Sequence, residues 1–220
     1  MTVTATSKDE SDHFWNRVRT ALNTLRPVRQ PAYGQAAIAR SIGMKPKLGT
    51  LIEDELAFGW TKAAEKNVSL SLMVIEIDRA LDYFSAYDPD ETHDGVLAVM
   101  QAIANALPRE GDRCLRMGRS GFVVVLPDLP VLMAKAVATK IADAVRRQTI
   151  AHKESHAGIV TVSLGLAVTN PRGAYDKKFF EAGAEALKKA QRKGLGYQHS
   201  VDLRPALDRK KKRSQRLLAA

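Results

Sequence analysis

Apolar positions recur along this chain with two alternating periods, and the switches between them mark out the expected elements. Phe14, Trp15, Val18, Ala21, Leu22 and Leu25 fall on one helical stripe between Ser11, a capping residue, and Pro27, a stop. Residues 29–47 hold Pro31, Gly34, Gly43 and Pro46 around a short Ala-rich segment and read as a connector. Helical spacing returns through Ile52, Leu56, Trp60 and Ala63. Residues 70–77 are then an almost unbroken apolar run, the mark of a strand buried on both faces in the middle of a sheet. Val96, Leu97, Met100, Ile103, Ala104 and Leu107 make the next helical stripe.

A hairpin follows. Arg116 and Met117 end a short strand, residues 118–121 make the turn, and residues 122–126 are an apolar, β-branched run stopped by Pro127 and Asp128. Residues 132–145 predict a helix, 159–168 a strand, 177–193 a helix closed by Gly194, and 197–203 a short last strand. Strands alternating with helices argue an α/β fold, and a hairpin placed mid-chain argues a mixed sheet.

At 220 residues and 45% apolar content, the chain is expected to bury one α/β core with short appendages. The single cysteine, Cys114, permits no internal disulfide and reads as a small core residue of the first hairpin strand. No apolar run is long enough to span a bilayer, and residues 1–12 lack the plan of a signal peptide, so a cytoplasmic location is expected. The formal charge of +10 is concentrated: residues 204–216 hold seven cations against Asp208, which leaves an ordinary balance elsewhere. This basic tail reads as a solvated end or as an electrostatic contact for an acidic partner, anionic lipid or nucleic acid. The stripe at residues 14–25 reads as a helix packed on its own domain or on a partner subunit, a homo-oligomer included; Asp9, Glu10 and Asp12 ahead of it argue against a membrane surface.

The chemistry is thin at the turn and richer before it. A turn that processed a phosphate anhydride would need carboxylates to hold a divalent cation, or free backbone N–H groups aimed at phosphate. Arg119 and Ser120 supply a cation and a hydroxyl instead. Arg109 and Asp112 bracket a two-residue step, so a guanidinium and a carboxylate can project together toward a guanine base or a phosphate. The bland reading of that pair is an ordinary turn with a surface ion pair.

Four pieces in order, L-S-L-M-V-I-E-I-D (70–78), R-M-G-R-S-G-F-V-V-V-L-P-D (116–128), T-V-S-L-G-L-A-V (161–168) and A-L-K-K-A-Q-R-K-G (186–194), resemble the GGDEF domains of diguanylate cyclases. The resemblance runs from about Leu51 to Val201 and implies a nucleotidyl-cyclase or palm-type mixed central sheet flanked by helices, here with an N-terminal helical extension. It also implies a division into an N-terminal helix and connector (1–47), a degenerate GGDEF-like domain (48–203) and a basic tail (204–220).

The departures lie in the chemistry that the resemblance implies. The family turn, Gly-Gly-Asp/Glu-Glu-Phe, is here Gly118-Arg119-Ser120-Gly121-Phe122. In the family an acid ending the first strand and one of the turn bind two magnesium ions. Glu76 stands at the first position with Asp78 two residues on, a pair that alternation puts on one face as a weak cation site or a salt-bridged strand end. Gly121 stands where the second ligand belongs, so no magnesium or other cofactor is expected. Phe84 falls near the guanine-reading Asn, His93 and Asp94 near the guanine-reading Asp, and Gln191 at a phosphate-binding Lys, with Lys189 and Lys193 beside it; the entry motif expected at residues 43–49 is missing.

One family site is kept: the product-inhibition motif Arg-x-x-Asp, at Arg109 and Asp112, five residues before the turn. Lys140, with Arg146 and Arg147 beyond it, lies about where a further Arg completes that site. The resemblance therefore implies a catalytically inactive domain that receives cyclic di-GMP, a bacterial second messenger, through Arg109, Asp112 and Lys140. The other readings are a nucleotide-independent interaction domain and, third, an active cyclase.

Overall fold

The structure is a computed structural model that describes residues 48–205, with side chains from Leu51 onward. The helix expected at residues 11–26, the connector at 29–47 and the tail beyond residue 205 lie outside the described residues.

Among the described residues ten elements follow in order: α1 (Leu48–Glu65), β1 (Leu70–Ile77), α2 (Ala80–Ala86), α3 (Pro89–Ala106), β2 (Arg113–Met117), β3 (Gly121–Pro127), α4 (Val131–Arg146), β4 (Val162–Thr169), α5 (Lys178–Gln191) and β5 (Gln198–Asp202). The sheet runs β2-β3-β1-β4-β5. β1 is antiparallel to both β3 and β4, β2 is antiparallel to β3, and β4 with β5 is the parallel pair. The sheet is thus mixed, with helices on both faces, as the alternation of periods predicts.

β1 is central because both of its faces are apolar. Met73, Ile75 and Ile77 enter one core with α3 and α4, while Leu70, Leu72 and Val74 enter the other with α1 and α5. Burying a side chain of this size contributes about 1.5–3 kcal/mol, so a register slip that exchanged the two sets would cost far more than any local gain. Ile52, Leu56, Trp60 and Ala63 of α1 are all buried, and the Trp60 indole donates to the Gly173 carbonyl at 3.0 Å. α5 lies directly on β4: a Cβ on Gly165 would come within 2.2 Å of the Gly183 carbonyl oxygen and the Leu187 nitrogen.

One helix was not expected, and three expectations need correction. α2 goes unannounced in the sequence because seven residues hold too few turns for a helical stripe, and α3 starts at Pro89, with Asp90 and Glu91 in its first turn. The buried stripe of α3 is Val96, Val99, Ile103 and Ala106, which leaves Leu97 partly exposed, because Tyr83 of α2 packs its hydroxyl against Gly95. β4 begins at Val162 rather than Ile159, since Ile159 bridges Ala151 and the Val160 amide donates to the Ile150 carbonyl. Arg204 is not the first residue of a solvated tail. It is buried and grips Asp202 through Nε at 2.9 Å and Nη2 at 2.8 Å.

Among the described residues no helix is long and apolar enough to cross a membrane.

Candidate functional site

The end of β1 meets the tip of the β2–β3 hairpin and the end of α5. Glu76 pairs in register with Gly121, and the Ile77 amide donates to the Ser120 carbonyl at 3.0 Å, which locks the turn against the strand end. Gln191 donates to one carboxylate oxygen of Glu76 at 2.8 Å and Ser120 Oγ lies 3.4 Å from the other. Both oxygens therefore have partners from this chain.

Asp78 does not share a site with Glu76. It is buried, and accepts from Ser163 Oγ at 2.5 Å, Thr161 Oγ1 at 2.6 Å and the Gly196 amide at 2.7 Å. A carboxylate so enclosed ties β1, β4 and the loop before β5 together. It is neither a cation ligand with Glu76 nor an exposed, salt-bridged strand end. The signal was in the sequence: Thr161 and Ser163 are alternate hydroxyls where the apolar run of β4 begins.

The turn carries positive charge where the resembled motif carries negative. Gly118 adopts φ of 65°, and Arg116 holds the turn through its Gly118 and Arg119 carbonyls at 3.2 and 3.1 Å. Arg119 lies over the Phe84 ring at 4.3 Å. Gly121 is packed so closely that a Cβ there would come 2.7 Å from the Met117 carbonyl oxygen. The residues present do not fit a two-magnesium centre. Among the described residues no three His, Cys, Asp or Glu side chains are grouped to hold a metal ion.

A second constellation is built at the far end of the hairpin. Asp112 accepts from the Arg109 amide and from Arg109 Nη2, both at 3.1 Å, and its carboxylate is fully enclosed. Arg109 Nη1 donates to the Asp128 carbonyl at 3.0 Å and Nη2 also to the Pro127 carbonyl, while the side chain stays 38% exposed. Arg109 and Asp112 are thus not an ordinary surface pair: the carboxylate is buried and the guanidinium fastens the end of β3. Burial pushes the Asp112 carboxyl above its usual range, and the attraction of Arg109 only partly offsets that. Beside this loop a groove of about 210 Å³ opens between α1 and β3, lined by Phe58, Lys62, Lys66, Gly111, Arg113 and Asp128 among others.

Lys140 is not brought to this pair. It is exposed on α4, ten residues past Pro130, a rise of about 15 Å along the helix. Its neighbour Thr139 accepts from Gln198 of β5, on the sheet edge opposite β2. His93, Lys189 and Lys193 are exposed, so of the last-helix candidates it is Gln191 that turns to Glu76.

A family model described as "Diguanylate cyclase, GGDEF domain" matches residues 50–196. The chain belongs to the GGDEF family. Solved GGDEF domains share its fold. The coiled coil and GGDEF domain of DgcB from Caulobacter crescentus, in complex with c-di-GMP, superposes with a TM-score of 0.62 at 17% identity, covering 88% of this chain and 96% of that one. The diguanylate cyclase SiaD from Pseudomonas aeruginosa, in complex with its activator SiaC, gives 0.60 at 21% identity, covering 89% and 68%. The GGDEF domain of YfiN from the same organism gives 0.58 at 21% identity, covering 70% and 94%. No curated protein matches the sequence.

Proposed function

We propose that this GGDEF domain has no cyclase activity and works as a regulatory module that receives cyclic di-GMP at Arg109. The observation that carries the reading is the contrast between its two ends. At the catalytic end Glu76 is occupied by Gln191 and Ser120, and Arg119 of the turn lies over the Phe84 ring. At the other end a guanidinium is held in one orientation by Asp112 and two carbonyls, and still presents more than a third of its surface. Holding a charged group in place before a ligand arrives lowers the ordering cost of binding.

In this reading Arg109 contacts a phosphate or stacks on a guanine, while the enclosed Asp112 positions Arg109 rather than accepting from the base. Lys62 and Lys66 of the adjoining groove supply further positive charge for the ligand, while Arg113 there is already paired with Glu55 at 3.7 Å. The compared DgcB structure was solved in complex with c-di-GMP, which supports the ligand class. The enclosure of Asp112 favours a second reading, a module that meets proteins and binds no nucleotide.

Titration calorimetry with cyclic di-GMP separates the two. A hydrogen bond to a charged group contributes about 1.5–3 kcal/mol, so Arg109→Ala is expected to weaken binding roughly ten- to a hundredfold, with Arg119→Ala binding like the parent. Absence of heat with the parent at roughly tens of micromolar ligand, a concentration that would reveal a Kd of about 1 μM, about −8 kcal/mol, or equal affinity for parent and Arg109→Ala, would replace the receptor reading with the second one.

A further inference from the structure

The vacated catalytic end has a property that the receptor reading leaves unused. Arg119 and Arg116 stand at the hairpin tip, and neither guanidinium meets a carboxylate among the described residues: Arg116 is spent on two backbone carbonyls, and Arg119 rests only on the Phe84 ring. Leu81 lies three residues before Phe84 on α2, hence beside it on the helix surface, and at 83% it is the most exposed large apolar side chain among the described residues. The nearby acids are already engaged, Asp82 by Arg79 at 2.8 Å and Glu76 by Gln191.

From this we infer that Arg119, Phe84 and Leu81, with the hairpin tip held by Arg116, form a docking surface for an acidic, partly apolar segment of another protein. Charge complementarity selects the occupant. Arg119 has a full set of N–H donors in a planar fork that matches a carboxylate, and Leu81 offers an apolar contact beside it. A second copy of this chain would bring arginine against arginine. A nucleotide fits poorly, because the aromatic face that would stack on a base is covered by Arg119 and the side chain near the guanine-reading position is Phe84 itself. The surface is at the opposite end of β2 from Arg109, so it stands or falls apart from the cyclic di-GMP reading.

The test uses the full chain and a fluorescein-labelled peptide, Glu-Glu-Leu-Glu-Glu-Leu, with the Gln-for-Glu peptide as neutral control, read by anisotropy. All variants are compared in a full-length background in which Arg209, Lys210, Lys211, Lys212 and Arg213 are changed to Gln, so that peptide binding to the basic tail does not mask the difference. Arg119→Glu is expected to weaken binding of the acidic peptide at least about tenfold, the scale of one lost charge-assisted contact, and Leu81→Ser to weaken it a few-fold. Arg119→Gln, expected to lose several-fold, keeps the test open if glutamate disturbs the turn, which circular dichroism reports. Saturating cyclic di-GMP is expected to leave peptide binding unchanged. Equal peptide affinity in the parent, Arg119→Glu and Arg119→Gln, or displacement of the peptide by GTP, would overturn the inference.

Discussion

Gln191 donates a 2.8 Å hydrogen bond to Glu76, joining the last turn of α5 to the end of β1 across the seat where the family's cyclases work. An amide there neutralises nothing, whereas the loss of several charged contacts removes the stabilisation of a phosphoryl-transfer transition state. The purified protein is therefore expected to make no cyclic di-GMP from GTP and magnesium, as measured by product chromatography. Restoring one acid with Gly121→Glu is expected not to rescue it, because the new Cβ would sit 2.7 Å from the Met117 carbonyl oxygen and displace the turn. Turnover by the parent that disappears in Glu76→Ala would show that the site still works.

Gly165→Ala tests the contact between α5 and β4. Its methyl would lie 2.2 Å from two backbone atoms of α5, which cannot swing aside as a side chain can. Overpacking of a core usually costs about 1–3 kcal/mol, and a clash with backbone belongs at or above the top of that range. A urea midpoint within error of the parent would show that the helix can lift off the sheet freely.

The contrast between these two sites explains what the sequence made legible. β1 could be placed in the sheet's centre because six of its eight residues are apolar and they fall on both faces, a property no other part of the chain is needed to read. Arg109 and Asp112 could be paired by their spacing, but what the pair does depends on the carbonyls of Pro127 and Asp128, and backbone acceptors carry no signature in side-chain identity. The same holds for Gly196, whose amide completes the enclosure of Asp78. Phe84 and Arg119 are each visible as departures from a family pattern, yet their stacking follows from α2, a helix too short to announce itself.

Cys114 offers a check on the packing of β2. It packs against the core shared with α3 and α4, and burial pushes its thiol up to about 12. The thiolate is the reactive form, so at pH near 8 the native protein is expected to react with a disulfide reagent far more slowly than the unfolded protein, which should release one equivalent at once. Because the folded value is raised, the buried thiol's contribution to stability is full below the unfolded value of 9.0 and is lost as pH rises toward 12. Rapid native-state labelling would mean that β2 opens from the sheet edge.

Asp112 gives the prediction that departs furthest from a surface-turn reading. Removing its carboxylate with Asp112→Ala leaves the Arg109 amide and one guanidinium donor without their acceptor in an enclosed site, at a cost of about 1–3 kcal/mol. Arg109→Ala leaves the Asp112 charge enclosed without its cation, so it too is expected to destabilise, and the two losses should not add, since they break one network. The pH dependence has a definite sign. The folded carboxyl is raised above its ordinary value by burial, so its contribution is present below the unfolded value and is lost as pH rises through the folded one. Asp112→Asn keeps an acceptor without the charge, so its stability relative to the parent is expected to grow as pH rises from the ordinary carboxyl range, about pH 4, toward neutrality. Urea denaturation of both proteins across that range reads the difference directly. A gap that shrinks with rising pH would mean that the Arg109 attraction outweighs burial, and that the pair is an ion pair first and a buried anchor second.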